Sequence, residues 1–169
     1  MKKTFGTICL FLMACLGMQA AQVDTLLVRS ESMNKDIKVV AIRPDKAMKG
    51  EQCPTIYLLH GHSGDHKNWL VVRPDLPEIA DRDGIIFVCP DGGYDSWYWD
   101  SPIIKEQRYE TFVSKELISY IDQNLATFPD RNKRAITGLS MGGHGAMWLA
   151  IRHQDVFGAV GSMSGGLDI

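Results

Sequence analysis

The residues Gly138-Leu139-Ser140-Met141-Gly142 spell G-x-S-x-G between a stretch of strand type, Arg134 to Thr137, and one of helix type, Met141 to His153. A serine on so tight a strand-to-helix turn takes a strained backbone conformation. Side chains two positions to either side would collide, so glycine belongs at both flanks. The turn lifts the Ser140 hydroxyl clear of the sheet as a nucleophile toward an acyl carbon. The amide of Met141 opens the helix, where unpaired N–H groups and the helix dipole favour the negative charge of a tetrahedral intermediate. The bare pattern arises about 0.06 times by chance in a chain of this length. Its placement after a strand, with Gly143 and Gly145 letting the helix pack closely, separates it from an inert serine in a glycine-rich turn.

A second constellation, His60-Gly61-His62-Ser63-Gly64, follows the apolar run Thr55 to Leu59. A serine hydrolase needs a second oxyanion donor, and in the hydrolase pattern the backbone N–H of His62 fills that role; the alternative is an ordinary glycine turn. A third, Gly92 to Asp100, follows the run Ile85 to Cys89 and carries Tyr94, Trp97, Tyr98 and Trp99. Loops beyond the carboxyl ends of strands line the crevice of open α/β sheets. Trp97, Tyr98 and Trp99 are therefore candidates for stacking on a sugar or phenolic ring of a substrate. Packing of the loop onto the domain suits the same residues equally well.

The elements that position these residues form an α/β order. Val23 to Ser30 and Asp36 to Arg43 read as an antiparallel hairpin. The runs Thr55 to Leu59 and Ile85 to Cys89 lack polar alternation, as strands buried on both faces of a parallel sheet do. Leu76 to Asp83 predicts a short helix ending at Gly84. Val113, Leu117, Ile118, Ile121 and Leu125 predict an amphipathic helix over Glu110 to Leu125. Phe157 to Ser162 predicts a last strand, and with it a mostly parallel sheet in one domain, residues 21–169.

Of the 169 residues, 18 are Lys or Arg and 20 Asp or Glu, a formal charge of −2. The balance excludes the basic footprint of a nucleic-acid binder and the composition of disorder. Residues 1–20 have the form of a secretory signal peptide: Lys2 and Lys3, an apolar stretch from about Phe5 to Leu16, then Ala20 and Ala21. The stretch is too short to span a bilayer, so a periplasmic or secreted protein is expected. A lipoprotein anchored at Cys15 is the minority reading. Cys53 and Cys89 then remain, about 20 Å apart if their strands run parallel, beyond disulfide reach; two separate buried thiols are expected. No cluster has metal-ligand spacing, and no nucleotide-binding glycine motif follows a strand, so no cofactor is expected.

From about Asp36 onward the chain resembles the α/β-hydrolase superfamily, and within it the putative-esterase family of feruloyl and acetyl esterases, S-formylglutathione hydrolases and mycolyltransferases. The residues that carry the likeness are Leu58 to Gly64, Asp65 to Trp69, Pro90-Asp91-Gly92-Gly93, Gly138 to Ala146, and Ser162-Met163-Ser164-Gly165-Gly166. The resemblance implies an α/β-hydrolase fold with Ser140 as nucleophile and the Met141 and His62 amides as the oxyanion hole. It implies a small-molecule or carbohydrate ester as substrate, since an exported location disfavours a cytosolic glutathione thioester.

The base is what the sequence lacks. The hydrolase order is serine, acid, histidine, and only His144 and His153 follow Ser140. His144, one helical turn on, is expected to point along the helix rather than over the hydroxyl, and His153 lies at the helix's far end. His60, His62 and His66 precede the serine, and Asp168 could stand as the acid with no histidine after it. The resemblance implies a domain roughly 80 to 100 residues longer, so a C-terminally truncated esterase is expected. The exposed sheet edge at Phe157 to Ser162 would then favour self-association. Three readings stay open: a serine esterase impaired for want of a base, a non-catalytic or binding remnant, and an acyltransferase to a sugar hydroxyl.

Overall fold

The computed structural model describes residues 21–166; the segment read as a signal peptide, Cys15 in it, and Asp168 lie outside them. A six-stranded sheet has the order β1-β2-β4-β3-β5-β6, with β1 at Gln22–Ser30, β2 at Lys35–Arg43, β3 at Thr55–Leu59, β4 at Ile86–Pro90, β5 at Arg134–Gly138 and β6 at Ala159–Val160. The hairpin β1/β2 is antiparallel and β2 joins β4 antiparallel, while β4, β3, β5 and β6 run parallel. This is the expected mostly parallel sheet with an N-terminal antiparallel pair.

Residue alternation decides which layer each side chain enters. The α-helices are α1 at Asp45–Met48, α2 at Asn68–Val72, α3 at Leu76–Asp83, α4 at Tyr109–Thr111, α5 at Ile118–Asn124 and α6 at Met141–Arg152. Tyr57, Leu59, Ile86, Val88 and Ile136 face one layer, packed on Phe112, Val113, Leu117 and Ile121 and on Met141, Ala146 and Leu149 of α6. Leu58, Phe87 and Cys89 face the other, packed on Trp69, Leu76 and Ala80. The last two belong to a helix, Leu76–Asp83, that ends at left-handed Gly84, as read from the sequence. Cys53 lies in the first layer and Cys89 in the second. The two thiols are free and buried, kept apart by the sheet as well as by distance along it.

Two elements depart from expectation. The predicted helix over Glu110 to Leu125 is divided into an α-turn, Tyr109–Thr111, a π-helical stretch, Phe112–Leu117, and an α-helix, Ile118–Asn124. The wider turns still leave Val113, Leu117 and Ile121 fully buried, so the apolar spacing carries no trace of the change. The last strand is two residues long instead of six. Beyond it a single bridge, Leu139 to Met163, continues the pairing, and Val160 and Met163 are about two-fifths exposed on the sheet edge.

The elbow depends on missing side-chain atoms. A β-carbon on Gly138 would sit 2.2 Å from the Gly142 carbonyl oxygen, and one on Gly142 would sit 2.2 Å from the carbonyl oxygen of Leu59 and 2.6 Å from that of His60. The obstacles are backbone, so neither substitution can be relieved by a rotamer change. Gly142→Ala is expected to lower stability by about 1–3 kcal/mol or more, read as a shift of the urea midpoint at unchanged slope. A wild-type midpoint would show that α6 is not seated on β3 as described.

Candidate active site

Ser140 caps α6 with φ 55° and ψ −116°, a conformation that stores about 1–3 kcal/mol of strain in a non-glycine residue. Three hydrogen bonds impose it: Ser140 N donates to the Met163 carbonyl (2.8 Å), Gly142 N to the Leu139 carbonyl (2.9 Å), and His144 N to the Ser140 carbonyl (3.0 Å). The side chain stands exposed. It opens on a cleft of about 290 Å³ lined also by Gly61, His62, Ser63, Asn68 and Leu139. Met141, the first residue of the helix, has an amide without an intrahelical acceptor. The His62 amide donates to no acceptor among the described residues. Gly61 presses against the elbow, its missing β-carbon 3.6 Å from Ser140 Cβ. The structure thus brings Ser140, Met141 and the Gly61–His62 backbone to one place, and the Met141 and His62 N–H groups have no acceptor among the described residues.

His60 holds the His62 loop in place. Its ring is fully buried, Nδ1 lies 2.7 Å from the Gly61 carbonyl, and Nε2 accepts from Gly92 N at 2.7 Å. A carbonyl oxygen can only accept, so Nδ1 carries the proton and the ring is neutral. Burial, the largest cause, lowers the His60 pKa below its ordinary value, against the raising effects of the Gly61 carbonyl and Asp91. A further tie, Ser63 N to the Tyr94 carbonyl at 2.8 Å, fastens this loop to the aromatic one.

Of the other histidines, His144 and His153 are hydrogen-bonded elsewhere. Nδ1 of His144 lies 2.7 Å from the Gly166 carbonyl, and Nε2 of His153 lies 2.9 Å from Glu110. The ring of His62 packs edge-on against Tyr94. His66 is buried with its Nδ1 3.9 Å from Asp91. None of the described histidines is hydrogen-bonded to the Ser140 hydroxyl. Among the described residues no group of three or more His, Cys, Asp or Glu is placed to hold a metal ion.

The aromatic loop divides. Trp97 and Trp99, with His144 and Trp148 of α6, line a mostly apolar cleft of about 370 Å³. Tyr98 faces the interior and is removed from the substrate-binding candidates. It is fully buried, its hydroxyl donates to the His60 carbonyl at 3.1 Å, and its ring fills the space beside Gly92 and Gly145. Left-handed backbone at Trp97 and Tyr98 (φ 53° and 61°) turns the neighbours in opposite directions. His144 and Trp148 escaped the sequence reading as cleft residues, although their four-residue spacing puts both on one helix face.

The model of the putative-esterase family matches residues 30–169. The chain belongs to that family. Diacylglycerol acyltransferase/mycolyltransferase Ag85A of Mycobacterium leprae is 38% identical over 155 residues, covering 86% of this chain and 44% of that protein. Among solved structures, a ferulic acid esterase superposes with a TM-score of 0.77 at 32% identity, covering 88% of this chain and 59% of its own. An S-formylglutathione hydrolase from Agrobacterium tumefaciens gives 0.73 at 26%, covering 83% and 56%. The chain spans less than half the length of the curated relatives it matches, and its fold is that of the α/β-hydrolase esterases.

The neutral His60 couples the site to pH. Its folded pKa lies below the ordinary histidine value of about 6.5, so as pH falls through that value the unfolded chain binds a proton that the folded one refuses. The stability it contributes is full above about 6.5 and declines below it, by at most about 1.4 kcal/mol per pH unit. His60→Gln is expected to be less stable at neutral pH but to lose this part of the slope. Urea unfolding at pH 7 and pH 5 measures it, and an unchanged difference between the two would show that His60 already carries charge when folded.

Proposed function

We propose that the chain carries the nucleophile half of a serine carboxylic-ester hydrolase acting outside the cytoplasm, on carbohydrate-linked esters foremost. The observation that carries this reading is the exposed Ser140 hydroxyl on its positive-φ turn, between the Met141 amide and the Gly61–His62 backbone. In the reaction Ser140 Oγ bonds to the ester carbonyl carbon while the carbonyl electron pair moves onto oxygen, where the His62 and Met141 N–H groups receive it. Collapse breaks the carbon–oxygen bond to the alcohol and leaves an acyl-serine, and water repeats the two steps to release the acid. Each oxyanion donor contributes about 2.7–4 kcal/mol to the barrier reduction.

The serine proton needs an acceptor that then returns it to the departing alcohol, and His60, His144 and His153 are held elsewhere while neither His62 nor His66 is hydrogen-bonded to the hydroxyl. A chain limited to these residues therefore turns over slowly, its base and acid to be supplied from outside residues 21–166. The signal-like first twenty residues support an exported location, periplasmic or secreted. The cleft of Trp97, Trp99, His144 and Trp148 seats a ring-bearing part of the substrate, and the open edge at Val160 and Met163 supports self-association. Similarity to a diacylglycerol acyltransferase/mycolyltransferase favours a second reading, transfer of the acyl group to a sugar hydroxyl by the same residues. The engaged histidines favour a third, a non-catalytic binding module.

Hydrolysis of 4-nitrophenyl acetate should be slow in the wild type and fall to the uncatalysed background in Ser140→Ala; hydrolysis that survives the substitution removes Ser140 from its role. A fluorophosphonate probe, followed by mass spectrometry, should label Ser140 slowly, whereas rapid labelling would reveal a base within reach. Absence of both hydrolysis and labelling in the wild type leaves the binding reading, and ester formation on an added sugar alcohol identifies transfer.

A further inference from the structure

Glu110 begins the helical stretch before the π-helical turns and is 8% exposed. Its Oε2 accepts from Trp148 Nε1 at 2.9 Å, while its Oε1 accepts from Arg152 Nε at 2.8 Å and lies 2.9 Å from His153 Nε2. One carboxylate thus grips three side chains at the C-terminal end of α6. Burial by itself would raise the Glu110 pKa, but the hydrogen bonds from Arg152, Trp148 and His153 outweigh it and hold the group below its ordinary value. The chemistry proposed at Ser140 makes no use of this charge.

Its consequence falls on Trp148. The indole is pinned at its nitrogen edge by Glu110, the Arg152 guanidinium lies 4.8 Å from its ring centre, and the His144 ring lies nearly parallel at 6.2 Å. Arg152 is itself held by Glu110, so two of these three restraints run through one carboxylate. Trp148 and Trp99 together separate the apolar cleft from a polar one of about 460 Å³ that includes Asp100, Glu110, Lys115 and Arg152. The clamp therefore holds the partition from its polar side. With its N–H spent on Glu110, the indole offers the apolar cleft only carbon surface.

We propose that Glu110 is a positioning residue that fixes Trp148 as a wall of the aromatic cleft and so sets the cleft's affinity for ring-bearing groups. The proposal rests on the reading of that cleft as a substrate-binding site, and its test separates the two. The four tryptophans of the chain, labelled as 5-fluorotryptophan in the full-length protein, give fluorine resonances assignable by Trp→Phe substitution, and 4-methylphenol serves as the ring probe. In the wild type the probe is expected to shift Trp97, Trp99 and Trp148 and to leave the buried Trp69 unmoved. Glu110→Gln, which keeps a carbonyl acceptor for the indole but loses the charge, should move the Trp148 resonance before any probe is added. It should also weaken probe binding, and Glu110→Ala should weaken it further, by at least about tenfold. Trp148 shifts and probe affinities equal to wild type in both variants overturn the positioning role, as does a Trp69 resonance that moves in Glu110→Gln together with Trp148, since the effect is then one of folding. If the probe fails to shift Trp97 and Trp99 in the wild type, it is the cleft reading that falls, whatever Glu110 does to Trp148.

Discussion

Everything in this site depends on how closely one helix approaches the backbone of two strands. The first turn of α6 lies against the ends of β3 and β5 with no side chain between, because Gly138 and Gly142 would each drive a β-carbon into backbone. That approach lets the chain reverse within the single residue Ser140, at the positive φ that leaves its hydroxyl in solvent. It also sets the loop beside Ser140, since the carbonyls that crowd Gly142 belong to Leu59 and His60, the residues leading into Gly61 and His62. Ser140 and the Gly61–His62 backbone share one contact and must move together.

The loop is held by neutral groups. His60 uses both ring nitrogens on backbone, Tyr98 donates to its carbonyl, and Ser96 bridges the Gly92 carbonyl and Tyr98 amide. Buried polar groups satisfied in this way rigidify a site without the desolvation penalty of a buried charge. An oxyanion hole gains from such a frame, because donors already fixed in place need no reorganisation as charge develops. The Asp91 carboxylate lies at the edge of this frame, 3.9 Å from His60 Nε2, while the ion pair of Glu110 and Arg152 stands at the far end of α6.

The sequence made the frame legible where a residue type has one physical use. Gly-x-Ser-x-Gly after a strand needs the sharp turn, and the unbroken apolar runs at Thr55 and Ile85 need two covered faces; both are found, the second strand shifted by one residue. Residues with two uses were not legible. Tyr98 and its neighbours Trp97 and Trp99 are equal as aromatics, and only the left-handed backbone and the space beside Gly92 and Gly145 send one inward. Glu110 looks like a solvated charge at the start of an amphipathic helix, because its partners lie 38 to 43 residues away. The π-helical turns keep the same residues buried and leave no periodicity to read.

In the proposed function α6 carries both the nucleophile and the wall of the aromatic cleft, which constrains what the site can accept. At 1.5 Å of rise per residue, His144 lies about 6 Å and Trp148 about 12 Å along the axis from Ser140. A group seated between them is therefore displaced from the reacting carbonyl by roughly one to two turns of helix. On the proposed function, a compact acyl group such as acetate does not span that distance and gains nothing from the aromatic wall. A substrate that joins a ring to its ester through a short spacer engages both ends of one rigid body, whose separation thermal motion scarcely alters. The clamp at Glu110 fixes one end and the glycine contact with β3 the other. Under that reading, selectivity is a matter of length along a helix as much as of the chemistry that lines it.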